Sequence, residues 1–106
     1  MKQLKAFVHR NRVADLVHVL DAAGFRRVSL FDVKALLRVL SAREQEYSVE
    51  LGDKVISEVQ IEVFCEDDEV ARATELIRQT GRTGHRDGGW LYISAVEQAL
   101  PIDGTA

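Results

Sequence analysis

Hydrophobic and polar positions alternate with a period of two in four stretches of the chain and recur at helical spacing in two others. From Gln3 to Val8, Leu4, Ala6 and Val8 fall on one side and Gln3, Lys5 and Phe7 on the other, which predicts a first strand ended by His9 and Arg10. Asn11 is the expected N-cap of a helix whose apolar stripe is Val13, Leu16, Val17 and Leu20, with Gly24 as its stop. Arg27 to Lys34 predicts a second strand, with Val28, Leu30, Asp32 and Lys34 opposite Ser29, Phe31 and Val33. The clearest strand runs from Val55 to Cys65. It sets Val55, Val59, Ile61, Val63 and Cys65 against Ile56, Glu58, Gln60, Glu62 and Phe64. Asp67 or Asp68 is expected to cap a second helix reaching Gln79 and burying Val70, Ala73, Leu76 and Ile77. A last strand sets Leu91, Ile93 and Ala95 against Trp90, Tyr92 and Ser94. A short helical turn over 96–100, stopped by Pro101, and a loose tail from Ile102 to Ala106 complete the expectation.

The order is strand, helix, strand, strand, helix, strand. That is a doubled βαβ, so the expected fold is α+β and ferredoxin-like: a four-stranded antiparallel sheet with both helices on one face, in one domain over residues 1–106. The other face then carries Phe7, Phe31, Ile56, Phe64 and Trp90 or Tyr92 among Lys5, Glu58, Gln60 and Glu62. Such a face is too apolar to leave in water and too polar for a dry core, which points to a homo-oligomer that packs these faces together. Between the second and third strands, Ala35 to Val55 reads as a long excursion, and connections of that length inside a compact domain are usually functional or mobile. A surface helix over Ala42, Arg43, Glu44, Gln45 and Glu46 is the alternative.

The composition of the 106 residues narrows the class. Apolar residues make up 46% and charged residues 29%, values of an ordinary folded domain. The formal charge of -3 supplies no attraction to nucleic acid or to an anionic membrane. There is no apolar run near the roughly 18 residues that would span a bilayer, and Met1 to Lys5 lacks the apolar segment of a secretory signal, so a cytoplasmic protein is expected. Cys65, the single cysteine, sits in a strand-like run and reads as a buried structural thiol.

Candidate chemistry concentrates in Gly81-Arg82-Thr83-Gly84-His85-Arg86-Asp87-Gly88-Gly89-Trp90, where four glycines and two arginines share one short loop. Glycines allow left-handed backbone and bring N–H groups close to an anion, and the arginines and His85 favour phosphate or carboxylate. The competing reading is structural: Gly81 or Gly84 caps the helix, and Gly88-Gly89 makes a turn.

Taken with these features, Lys5-Ala6-Phe7-Val8 and the helix ending Ala23-Gly24, Val59 to Val63 with Asp67-Asp68, and Arg82-Thr83-Gly84 through Gly89 into Leu91 to Glu97 resemble the P-II signal-transduction family over nearly the whole chain. The resemblance implies a cytoplasmic homotrimer that binds ATP or ADP in clefts between subunits and docks on a transporter or enzyme through a flexible loop, the T-loop, here residues 35–55. It maps the phosphate-cradling loop on Thr83, Gly84, His85, Arg86, Asp87, Gly88 and Gly89. It also places Arg38 at the base of the T-loop and Glu62 near the adenine. Arg43, Glu46 and Tyr47 fall in the partner loop, with Glu46 at the position of a tyrosine that some members have modified.

The chain departs from that pattern in ways that bear on its ligand. Ala35-Leu36-Leu37-Arg38-Val39 replaces a glycine-rich loop base with its glutamine, Glu58 replaces a lysine, Trp90 follows Asp87-Gly88-Gly89 where a lysine is usual, and Pro101 and Asp103 stand for two arginines. Each lost cation removes a charge-assisted bond of about 1.5–3 kcal/mol. The expected effector is therefore ADP, AMP or another anion held less tightly than ATP is elsewhere, or no nucleotide at all. An alternative is a metal-responsive trimer using His9, His18, His85 and Cys65, none of which pair at metal-ligand spacing. No nucleophile, dyad or triad suggests an enzyme.

Overall fold

The computed structural model describes residues 1–32, 58–84 and 89–104. The 35–55 excursion, Ile56, and the predicted Arg38, Arg43, Glu46, Tyr47, His85, Arg86 and Gly88 lie outside the described residues.

Strand β1 runs over Lys2–His9, a 3₁₀ turn over Arg10–Arg12, and helix α1 over Val13–Ala22. Strand β2 is Arg27–Asp32 and β3 is Glu58–Cys65. A second 3₁₀ turn, Asp67–Glu69, leads into α2, Val70–Thr80, and β4 is Gly89–Ala95. The sheet order is β2-β3-β1-β4 and every neighbouring pair is antiparallel, the ferredoxin-like arrangement that the alternation predicted. β1 and β3 occupy the centre, and both bury every second residue. Leu4, Ala6 and Val8 lie opposite Val63, Ile61 and Val59 in register.

Both helices cover that one face. Leu16 and Leu20 of α1 and Ala73 and Ile77 of α2 join Leu4, Ala6, Val8, Ile61 and Val63 in one core. Cys65 is 5% exposed at its edge. Burial pushes its thiol pKa up, with Glu69 and Glu66 adding to the effect, so the sulfur is an inert core atom.

The helix ends follow different capping from that expected. α1 closes as predicted: Gly24 takes a φ of 92°, its N–H bonds to the Asp21 carbonyl, and the Phe25 N–H reaches back to Leu20. This is a Schellman closure, with Phe25 buried against the core and the Arg72 guanidinium 4.9 Å from its ring centroid. At the N-termini the expectation fails. Asn11 is not the cap of α1 but a member of the 3₁₀ turn, whose cap is His9: its imidazole accepts from the Asn11 N–H. Neither Asp67 nor Asp68 caps α2, because both belong to the turn before it, and the Asp67 carboxylate instead pairs with the Met1 ammonium at 3.0 Å. The helical turn expected over 96–100 is also missing. The Val96 N–H donates to the Met1 carbonyl, so the chain leaving β4 is still drawn along β1.

Candidate functional site

The register aligns the open face of the sheet into rows. One row is Phe31, Gln60, Phe7 and Trp90, taken from β2, β3, β1 and β4 in order; the next is Ser29, Glu62, Lys5 and Tyr92. Both Trp90 and Tyr92 therefore lie on this face. Phe7 meets Tyr92 edge-on at 6.0 Å between centroids, and Tyr92 stacks with Trp90 at 6.4 Å and 24°. In the middle sits a polar network centred on Glu62. Gln3 and Gln60 donate to Glu62 Oε1 at 3.0 and 3.3 Å, and Lys5 Nζ stands 3.8 Å away. The arrangement makes Glu62 the shared acceptor of this network, facing away from the helices.

At one end of the aromatic row the chain passes from α2 into β4. Gly81 closes α2 by donating to the Ile77 carbonyl at 2.8 Å, with φ at −78°, so it is a helix cap of ordinary backbone. Gly84 takes φ 83° and Gly89 takes φ 133°, both conformations that favour glycine. Gly89 is the first residue of β4, paired with Val8, and a Cβ there would collide with the Phe7 carbonyl oxygen. The helix-cap and close-approach roles of these glycines thus coexist with a cleft rather than excluding one.

That cleft has a volume of about 740 Å³ and lies between the last turn of α2, the Arg82–Gly84 segment and the start of β4. Of the residues expected to bind a ligand, Arg82, Thr83, Gly84 and Gly89 line it together, whereas Glu62 is on the open face and does not line it. Residues not expected to bind a ligand also line it: Thr74 and Arg78 from α2, Phe7 and Ile93 from the sheet. Arg78 was detectable in principle, being one helical turn ahead of Arg82. Neither guanidinium forms an ion pair among the described residues. The Thr74 hydroxyl is buried with no hydrogen-bond partner among them, which marks a polar group still to be satisfied.

The charges around the cleft are of both signs. Two arginines face the cleft, yet it stands at the C-terminal end of α2, where free carbonyls make the helix dipole negative. Any attraction for an anion there would come from side-chain cations and loop amides, not from the helix. Among the described residues no group of His, Cys, Asp and Glu could hold a metal ion; His9 is engaged as a turn cap and Cys65 is in the core. Among the described residues no helix is long and apolar enough to cross a membrane.

This architecture is that of a small ferredoxin-like α+β domain with one helix-covered and one open sheet face. A family model described as Nitrogen regulatory protein P-II matches residues 1–104, and the chain belongs to that family. It is 31% identical over 102 residues to the nitrogen regulatory protein P-II of Cereibacter sphaeroides and 28% identical to that of Porphyra purpurea, in each case covering 96% of this chain and 91% of the relative. Nitrogen regulatory protein P-II 1 of Methanothermobacter thermautotrophicus is 23% identical, covering 96% and 89%. The chain is accordingly a nitrogen regulatory signal-transduction protein, a regulator and not an enzyme, of a family that interacts with protein targets.

Proposed function

We propose that this chain is a homotrimeric cytoplasmic sensor that takes a small anionic effector, an adenine nucleotide or a related anion, in clefts between subunits. It passes that signal to a transporter or enzyme through residues 35–55. The observation that carries the reading is the α2–β4 cleft itself, in which Arg82, Thr83, Gly84 and Gly89 converge at the edge of an exposed aromatic sheet face. A neighbouring copy packed on that face would wall the open side of the cleft. The mechanism is a population shift: effector favours one arrangement of the 35–55 segment and so changes the affinity for the partner. Arg38, His85, Arg86 and Gly88 would complete the ligand set, Glu62 would be supplied to the cleft from the open face, and Arg43, Glu46 and Tyr47 would face the partner.

The test is thermal stability of the purified protein against ATP, ADP, AMP, cyclic nucleotides, 2-oxoglutarate, bicarbonate and divalent metals, with mass measured in parallel. An effector at 100 times its Kd stabilises by about 2.7 kcal/mol, and replacing both Arg82 and Arg86 by alanine should abolish the effect. A trimer whose ligand response survives that double substitution would refute the site, and a metal response alone would transfer the reading to a metal sensor.

A further inference from the structure

Two features of the molecule stand apart in one copy and match each other. The first is the arm that follows β4, where Leu100 is 73% exposed and Ile102 entirely exposed. Pro101 biases Leu100 toward extended backbone, and residues two apart on an extended chain face the same way. Glu97 and Asp103 flank this apolar pair with negative charge. The second is a groove of about 520 Å³ between α1 and β2. Val17, Val28 and the buried Phe25 give it an apolar lining, and His18, Asp21 and Arg26 stand exposed around them. Arg26 forms no ion pair among the described residues.

Arm and groove lie at the same end of the sheet, since Lys2 pairs with both Ala95 and Cys65 and Phe64 pairs with Arg27. They lie at opposite edges of it, because β2 and β4 are the outermost strands, and no residue of 96–104 lines the groove of its own copy. The edges are apolar on the helix side, with Leu30 of β2 and Ile93 of β4 each about half exposed. One copy's β4 edge set against the next copy's β2 edge covers both, and such a head-to-tail contact forms a ring when its rotation closes. Residues 96–102 span about 23 Å when extended, against about 5 Å between neighbouring strands. The arm therefore reaches past a shared edge. We infer that the 97–103 segment of each copy docks in the α1–β2 groove of a second copy, with Leu100 and Ile102 against Val17, Phe25 and Val28 and an acidic flank on Arg26. Asp21, the one carboxylate lining the groove, repels those flanks, which makes Arg26 necessary to the contact. This rests on the homo-oligomer reading above and adds to it the segment that each copy lends to its neighbour.

Full-length chains carrying His18→Cys and chains carrying Ala99→Cys are co-expressed and treated with a short bis-maleimide, while light scattering gives the mass. One chain of each kind should be joined, and neither variant alone should cross-link, because Cys65 is buried. Leu100→Ser and Ile102→Ser should each raise the dissociation constant of the assembly by about 10- to 100-fold. Arg26→Glu should raise it as well. All three side chains are exposed in the single copy, so the far-UV circular dichroism should not change. A cross-link formed only within a chain carrying both cysteines would place the arm on its own groove and overturn the exchange. An assembly that keeps its mass and affinity in these variants and yields no cross-link would overturn the exchange and leave the homo-oligomer standing. A chain that is monomeric at every concentration would overturn both readings.

Discussion

At the scale of single residues, the clearest lesson comes from Asp67. Its position before an apolar-striped helix suggests a cap, yet its carboxylate lies 3.0 Å from the Met1 ammonium. A charge-assisted bond to a full positive charge outcompetes one to a backbone amide. The ammonium, with a smaller contribution from Lys2, holds the Asp67 carboxyl below its ordinary value. A carboxyl lowered on folding adds stability that is present above its unfolded pKa and lost as pH falls through the folded value. The contribution is small because the pair is exposed. Titration followed by NMR should give Asp67 a midpoint below that of a free aspartate, and acetylating the N-terminus should return it to the ordinary range. An Asp67 midpoint indifferent to acetylation would show that the pair does not form in solution.

At the scale of elements, strands were more legible than helix ends. β1 and β3 announce themselves because each side of the strand meets a different environment, and Leu4, Ile61 and Val63 are fully buried while their sequence neighbours are not. The ends of α1 and α2 depend on which donor reaches first. His9 captures the Asn11 N–H, a choice that no local propensity encodes. The cleft was half legible: the glycines and Arg82 stand together in sequence, whereas Thr74 and Arg78 arrive through the helix and Phe7 and Ile93 through pairing across distant strands. Gly89 shows how tightly this junction is built. Its φ of 133° and its approach to the Phe7 carbonyl leave no room for a side chain. Gly89→Ala should therefore cost about 1–3 kcal/mol or more and open the β1–β4 edge first, seen as faster amide exchange at Leu91 and Ile93 than at Ile61. Uniform exchange with unchanged stability would mean that the junction adapts.

At the scale of the whole molecule, the open face demands an occupant. Phe31, Trp90 and Tyr92 are each about half exposed or more, and Leu30 and Ile93 remain exposed at the two sheet edges that the helices do not reach. The polar network of Gln3, Lys5, Gln60 and Glu62 lies between the aromatic positions, internally bonded, so the face can be covered without stranding its charges. A second and third copy of the chain, in the proposed trimer, would satisfy both features. Phe31 tests this independently of the cleft, since it is on β2, the strand farthest from β4. Phe31→Glu places an unpaired charge in the proposed interface, a change that costs about 3–5 kcal/mol when buried. It should convert the proposed trimer to monomer at micromolar concentration and lower its Tm, while Asp15→Ala on the exposed side of α1 should leave the mass unchanged. If Phe31→Glu keeps the native mass, the sheet face is not the surface through which the chain assembles. The cleft would then have to function within a single copy, with Glu62 excluded from it.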